Sequence, residues 1–160
     1  MKPPKLVDAA GLAAIRDAMD RSGKRLVLTN GCFDLLHAGH VRYLQAARGL
    51  GDALAVGLNG DASVRALKGP DRPLNGAADR AEVLAALACV DHVVVFEPVR
   101  ATELLSAVRP HVYAKGGDYS PESLDPEEAA ALRAAGSEIR ILPLVPGRST
   151  TSIVQRMRGA

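Results

Sequence analysis

The sequence predicts an α/β protein, a doubly wound parallel sheet of five strands with helices on both faces. Three observations carry that prediction. Short β-rich runs alternate with helical patterns along the whole chain, an order that requires crossover helices between parallel strands. The runs are apolar throughout, as strands covered on both faces are. Nearly half of the 160 residues are apolar while only five are aromatic, so Ala, Leu and Val do most of the core filling.

An amphipathic helix from about Asp8 to Arg21 leads into a first strand, Leu26 to Thr29. A helical pattern follows from Val41 to Arg48, with a start near Ala38 or Gly39, and then a second strand, Ala53 to Leu58. Helix Asp79 to Ala88 precedes strand Val93 to Phe96, and helix Ala101 to Val108 precedes strand Val112 to Ala114. Helix Pro126 to Ala135, strand Ile139 to Leu142 and helix Ser149 to Arg158 complete the order. Three of these helical patterns stop near Gly or Pro.

A chain of this length fits one domain, residues 1–160, that buries about 70% of the surface its unfolded form exposes. Twenty basic and eighteen acidic residues are spread without like-charged runs, so nucleic acid is not an expected partner. No apolar stretch approaches the roughly 20 residues that span a bilayer, and no membrane is expected either. Cys32 and Cys89 lie far apart in a chain that opens without an apolar signal segment, so a reduced, cytoplasmic setting is expected.

Open α/β sheets bind ligands beyond the carboxyl ends of their strands. The unusual residues gather there: Asn30 to His40, Asn59 to Asp61, Lys115-Gly116-Gly117-Asp118-Tyr119, and Pro146 to Ser152. Neither G-x-x-x-x-G-K-[ST] nor G-x-G-x-x-G follows the first strand, which argues against a P-loop and against a conventional dinucleotide site. Instead His37 and His40 flank Gly39 where a helix begins. Free N–H groups and the positive dipole end make such a tip an anion site. Two imidazole donors beside it suit a phosphoryl group whose oxygens gain charge during reaction.

Other readings of these residues stand beside that one. The histidines can serve as caps and packing groups; Asp34, His37 and His40 can ligate a divalent metal; or His37 can activate Cys32 as a nucleophile. Only five of the twenty basic residues are lysines, yet Lys68 and Lys115 each precede a glycine in a predicted loop. A lysine retained there offers a point charge, and Gly69 or Gly116 admits close backbone approach, although solvated loop lysines have the same look. Ser149, Thr150 and Thr151 can cap a helix whose same end attracts anions. Asp118 also suits a plain turn, and Arg80 reads as either structural or phosphate-facing.

The string His37-Ala38-Gly39-His40 is the HxGH signature of the nucleotidylyltransferase superfamily, and Asn30-Gly31-Cys32-Phe33-Asp34 before it resembles the cytidylyltransferase-type branch. "LKGPDRPLN" (67–75), Arg80, "CVDHVVVF" (89–96), "KGGDY" (115–119) and "STTSIV" (149–154) then follow in the order of one group. Across about Val7 to Arg158 the chain resembles the D-glycero-β-D-manno-heptose 1-phosphate adenylyltransferases, without the sugar-kinase half that commonly precedes them. Two departures are evident: the segment 120–138 is longer and lacks the customary motif, and Arg148 stands where a Cys commonly precedes the STT.

The resemblance implies a Rossmann-like nucleotidylyltransferase fold and transfer of AMP from ATP to a sugar 1-phosphate. It implies that His37, His40 and Lys68 are catalytic. Asn30, Gly31, Cys32, Phe33, Gly39, Lys115, Gly116, Asp118, Tyr119, Ser149, Thr150 and Thr151 would join His40 in binding nucleotide, and Asp34, Asn59, Lys68 and Arg72 would bind the sugar phosphate. Mg²⁺ would bridge substrate oxygens rather than occupy a protein cage, and a homodimer is implied. The alternative is a cytidylyltransferase for glycerol 3-phosphate or a related phospho-alcohol, or another nucleotide and heptose phosphate pair; a nucleotide-sensing module is the non-catalytic rival.

Overall fold

The computed structural model describes residues 4–117 and 120–159. Asp118 and Tyr119, both named above as nucleotide-binding, lie outside the described residues.

Helix α1 (Ala9–Arg21) starts at Asp8, whose carboxylate accepts from the Gly11 N–H at 2.7 Å. Strand β1 (Leu26–Gly31) runs into α2 (Ala38–Arg48), and β2 (Ala53–Asn59) into α3 (Asp61–Lys68) and α4 (Ala77–Ala86). Then come β3 (His92–Phe96), α5 (Thr102–Val108), β4 (Val112–Gly116), α6 (Pro126–Ala135), β5 (Glu138–Leu142) and α7 (Thr150–Arg158). All strand pairs are parallel, and the sheet order is β3-β2-β1-β4-β5. The chain therefore winds outward from β1 to one edge and returns to build the other, leaving the topological switch between β1 and β4.

Alternation along each strand divides the core in two. Leu26, Leu28 and Tyr113 join Leu12 of α1, Leu104, Leu105 and Val108 of α5, and Leu132 of α6. Val27, Leu54, Val56 and Val112 face the other way, onto Leu44 and Ala47 of α2 and Ala81 and Leu84 of α4. Among the described residues no helix is long and apolar enough to cross a membrane.

The sequence reading needs three corrections. The stretch Asp61–Lys68 is a helix, not part of a loop. It is short and lies between Gly60 and Gly69, with Asp61 in its first turn and Arg65 and Lys68 in its last, a charge order that favours the dipole. Neither lysine singled out is a loop residue, since Lys68 ends α3 and Lys115 lies in β4. Finally, β5 is an edge strand whose Glu138 and Arg140 are exposed, so covering on both faces does not extend to it.

Candidate functional site

The carboxyl end of β1 is anchored before it reaches the histidines. The Tyr113 hydroxyl, from β4 across the switch, donates to Asn30 Oδ1 at 2.5 Å. Thr29 Oγ1 and the Tyr43 hydroxyl lie 2.8 Å apart, and burial pushes the Tyr43 phenol up to about 12. A Cβ at Gly31 would come within 2.9 Å of the Phe33 ring, so glycine lets that ring fold back over the strand end. Phe33 itself holds φ at 45°, and its ring lies 5.3 Å from that of His40.

The next residues turn the chain into α2. His37 is the N-cap: its Nδ1 accepts from the Gly39 N–H at 3.1 Å. His40, three positions on, returns the favour with Nδ1 accepting from the His37 N–H at 3.4 Å. Two imidazoles thus form a capping box in which Ser or Thr and Glu usually serve. The cap-and-pack reading and the anion-site reading are not exclusive. An Nδ1 that accepts leaves the proton of a neutral ring on Nε2, and neither Nε2 has a protein partner among the described residues. Burial, then the charge of His37, lowers His40 to about 4; burial, then the charge of Arg148, lowers His37. Both rings are neutral near pH 7.

Asp34 is occupied. Its carboxylate, buried, accepts from Arg72 Nε at 2.6 Å and from the N–H groups of Leu74 and Asn75 at 2.9 and 3.0 Å. Burial raises its pKa, but those N–H groups and Arg72 outweigh it and hold the carboxyl below the usual range. Its job here is to latch the loop between α3 and α4. That leaves no carboxylate for the metal reading of Asp34, His37 and His40, and no cluster of three metal-ligating side chains exists among the described residues. Asn59 is equally engaged, donating to Ser63 Oγ at 2.7 Å within the interior.

Arg80 resolves as structural. It is 2% exposed and donates to Asn75 O, Cys32 O, Asn59 O and Asp61 Oδ1 at 2.7 to 2.9 Å. One guanidinium therefore ties together the ends of β1 and β2, the start of α3 and the latched loop. Lys68 and Arg72 reach the same neighbourhood, since their charges act on the Cys32 thiol; burial dominates there and pushes that thiol up, against the nucleophile reading.

The last segment closes over the first. Ser149 caps α7, accepting from the Ser152 N–H at 3.0 Å, and Thr150 Oγ1 donates to Leu35 O at 3.1 Å. Two helix N-termini, of α2 and α7, are thereby drawn to one place beside the switch. Between the end of β4 and this segment lies a cavity of about 580 Å³, lined by Gly117, Leu144, Arg148 and Ser152 among others. Lys115 and Gly116 stand in the adjoining strand, with Gly116 packed close to Tyr43 and Leu144. Thr151 is exposed at the tip of α7.

Residues 28–156 match the cytidylyltransferase-like family. The chain belongs to that family. A bifunctional protein HldE of Pelobacter propionicus is 53% identical over 146 residues, 91% of this chain and 30% of that protein. The HldE of Geotalea uraniireducens is 51% identical over 154 residues, 96% of this chain and 31% of its own length. The chain thus spans about a third of the curated relatives it matches. Among solved structures, a lipopolysaccharide core biosynthesis protein from Thermoplasma volcanium is 25% identical with a TM-score of 0.63, covering 77% of this chain and 98% of that one. A pantoate-beta-alanine ligase from Francisella tularensis shares the fold at 13% identity and a TM-score of 0.56, over 96% of this chain and 76% of that one.

Within this cytidylyltransferase-like chain the structure brings together Asn30 to His40, Lys68, Arg72 and Ser149 to Thr151, and sets Lys115 and Gly116 alongside. It turns Asp34 and Asn59 inward as braces. Tyr113 gave no functional signal as a residue type, and Arg148 stood out only as a departure from the resemblance; the fold puts them beside Asn30 and His37.

Proposed function

We propose that the protein transfers AMP from ATP to a sugar 1-phosphate, most specifically D-glycero-β-D-manno-heptose 1-phosphate, forming ADP-heptose and pyrophosphate. The observation that carries this reading is the convergence of the α2 and α7 N-termini, with two imidazole Nε2 atoms at the α2 tip that have no partner among the described residues. A phosphate oxygen of the sugar attacks the α-phosphorus, the bond from that phosphorus to the bridging oxygen breaks, and the electron pair leaves with pyrophosphate. Phosphate is already a competent nucleophile, so no covalent enzyme intermediate is needed.

His37 and His40, both neutral, donate from Nε2 to oxygens on the α-phosphoryl group as charge builds there. Lys68 and Arg72 attract the acceptor phosphate or leaving oxygens, and Ser149 to Thr151 hold the tail of the triphosphate. Lys115 and Gly116, with Asp118 and Tyr119, serve the ribose and base, in keeping with the adjoining cavity. With the Asp34 carboxylate bonded to Arg72, Leu74 and Asn75, Mg²⁺ would come with the nucleotide as part of that substrate and would supply positive charge against its phosphates. A cytoplasmic homodimer completes the proposal, on the strength of the resemblance.

The test is pyrophosphate release in separate mixtures of heptose 1-phosphate with ATP, CTP or GTP, and of glycerol 3-phosphate with CTP. Release with ATP alone is the expected result. Silence with all three nucleotides defeats the reading, and release with CTP plus glycerol 3-phosphate replaces it with the alternative.

A further inference from the structure

We infer that Tyr113 is a positioning residue that acts on the nucleotide through Asn30, an inference that rests on the function just proposed. Strand β1 stays paired with β2 as far as Gly31 and Leu58, but its pairing with β4 stops at Leu28 and Tyr113. Beyond that point the two strands part, which opens the crevice at the topological switch where such sheets take their ligands. Asn30 stands on the β1 side of the opening, two residues past Leu28 and on the same face of the sheet. The Tyr113 hydroxyl crosses the gap and donates to Asn30 Oδ1 at 2.5 Å. A side-chain tie thus takes over where the backbone ties end.

The tie sets which end of the Asn30 amide faces the ligand. Tyr113 is fully buried, and a buried phenol proton without an acceptor is costly, so the Asn30 oxygen is held toward it. The two branches of a carboxamide diverge, so fixing Oδ1 fixes Nδ2 on the opposite side. That nitrogen has no hydrogen-bond partner among the described residues and reaches solvent. The stem is fixed as well: Gly57, paired with Asn30 across β1 and β2, carries no side chain, and a Cβ there would lie 3.2 Å from that of Asn30. Asn30 therefore offers the crevice two N–H donors and no acceptor, which suits an oxygen of the bound nucleotide. Without the Tyr113 hydroxyl the amide could present either end.

Tyr113→Phe keeps the ring in the core and removes only the hydroxyl, and a thermal melt checks its folding. The Michaelis constant for ATP should rise about three- to tenfold in Tyr113→Phe, the worth of one hydrogen bond, while that for the sugar 1-phosphate holds. Asn30→Ala should raise it at least as far and Asn30→Asp further, and adding Tyr113→Phe to Asn30→Ala should change nothing more. In nitrogen-edited NMR the Asn30 side-chain N–H signals of the wild type should shift on titration with ATP. An unchanged constant for ATP in folded Tyr113→Phe, or a further rise on top of Asn30→Ala, overturns the assignment. If Tyr113→Phe does not fold, the wild-type amide decides, since signals that bound ATP leaves in place overturn it in any case. A chain that binds ATP and shifts those signals but releases no pyrophosphate keeps this assignment and loses the proposed reaction; one that does not bind ATP loses both.

Discussion

The imidazoles of His37 and His40 stack with centroids 3.9 Å apart and planes 28° from parallel, each ring holding a backbone N–H of the α2 tip. Helix capping and chemistry thus share one pair of side chains, with Nδ1 spent on the fold and Nε2 kept for the ligand. The two jobs can be separated by substitution.

His37→Asn should do so. Asparagine is a good N-cap, so it should preserve stability, whereas His37→Ala should cost about 1 kcal/mol. Both should lose about a hundredfold to a thousandfold in kcat, as when one donor to a developing charge is removed. His40→Ala should likewise stop pyrophosphate release in a folded protein. Thermal melts beside steady-state rates check this; a His37→Asn enzyme that turns over near the wild-type rate would reduce the ring to a cap.

Stability should fall in mild acid. The folded pKa of His40, about 4, lies below its usual 6.5, so between those values the unfolded chain binds the proton that the folded one refuses. The native state therefore loses stability as pH drops from 6.5 toward 4, and keeps it in full above 6.5. Denaturant unfolding at a series of pH values should show this slope, and His40→Gln should flatten it. Equal slopes in the two proteins would mean that the ring is charged when folded.

Most of the fold was legible because its signals are local. Each of the five strands is an apolar run where the chain has few others, and α6 follows from Pro126 at its start and Gly136 at its end. Helix α3 escaped because it presents only two large apolar residues, Val64 and Leu67, between glycines, and only Val64 is buried. Within the site, residue types announced His37, His40 and the hydroxyls of 149–151. Whether a polar side chain faces ligand or interior depends on distant partners, and for Asp34 those are Arg72, Leu74 and Asn75, some 40 residues away.

Arg80 illustrates the same point energetically. Its guanidinium satisfies three backbone carbonyls and Asp61 while almost fully buried. Arg80→Ala would strand those carbonyls and should cost about 2–4 kcal/mol, and Arg80→Lys, with one ammonium for several partners, should recover little. Chemical denaturation measures the loss. A cost below about 1 kcal/mol for Arg80→Ala would show that water replaces the hub.

Gly39 offers the sharpest test of how the site is assembled. In a helix interior, Gly→Ala ordinarily stabilises by up to about 1 kcal/mol. Here a Cβ would lie 2.8 Å from Cε1 and 2.9 Å from Nδ1 of His37, and 3.1 Å from Cβ of Arg148. The ring must swing away, which breaks its bond to the residue 39 N–H and unstacks it from His40. Gly39→Ala should therefore gain no stability, and a reacting group displaced by an ångström can cost about a hundredfold in rate. Melting temperature and kcat, measured together, decide the matter. An alanine variant that melts higher and turns over normally would mean the His37 ring is free to sit elsewhere, and that the α2 tip does not need it in place.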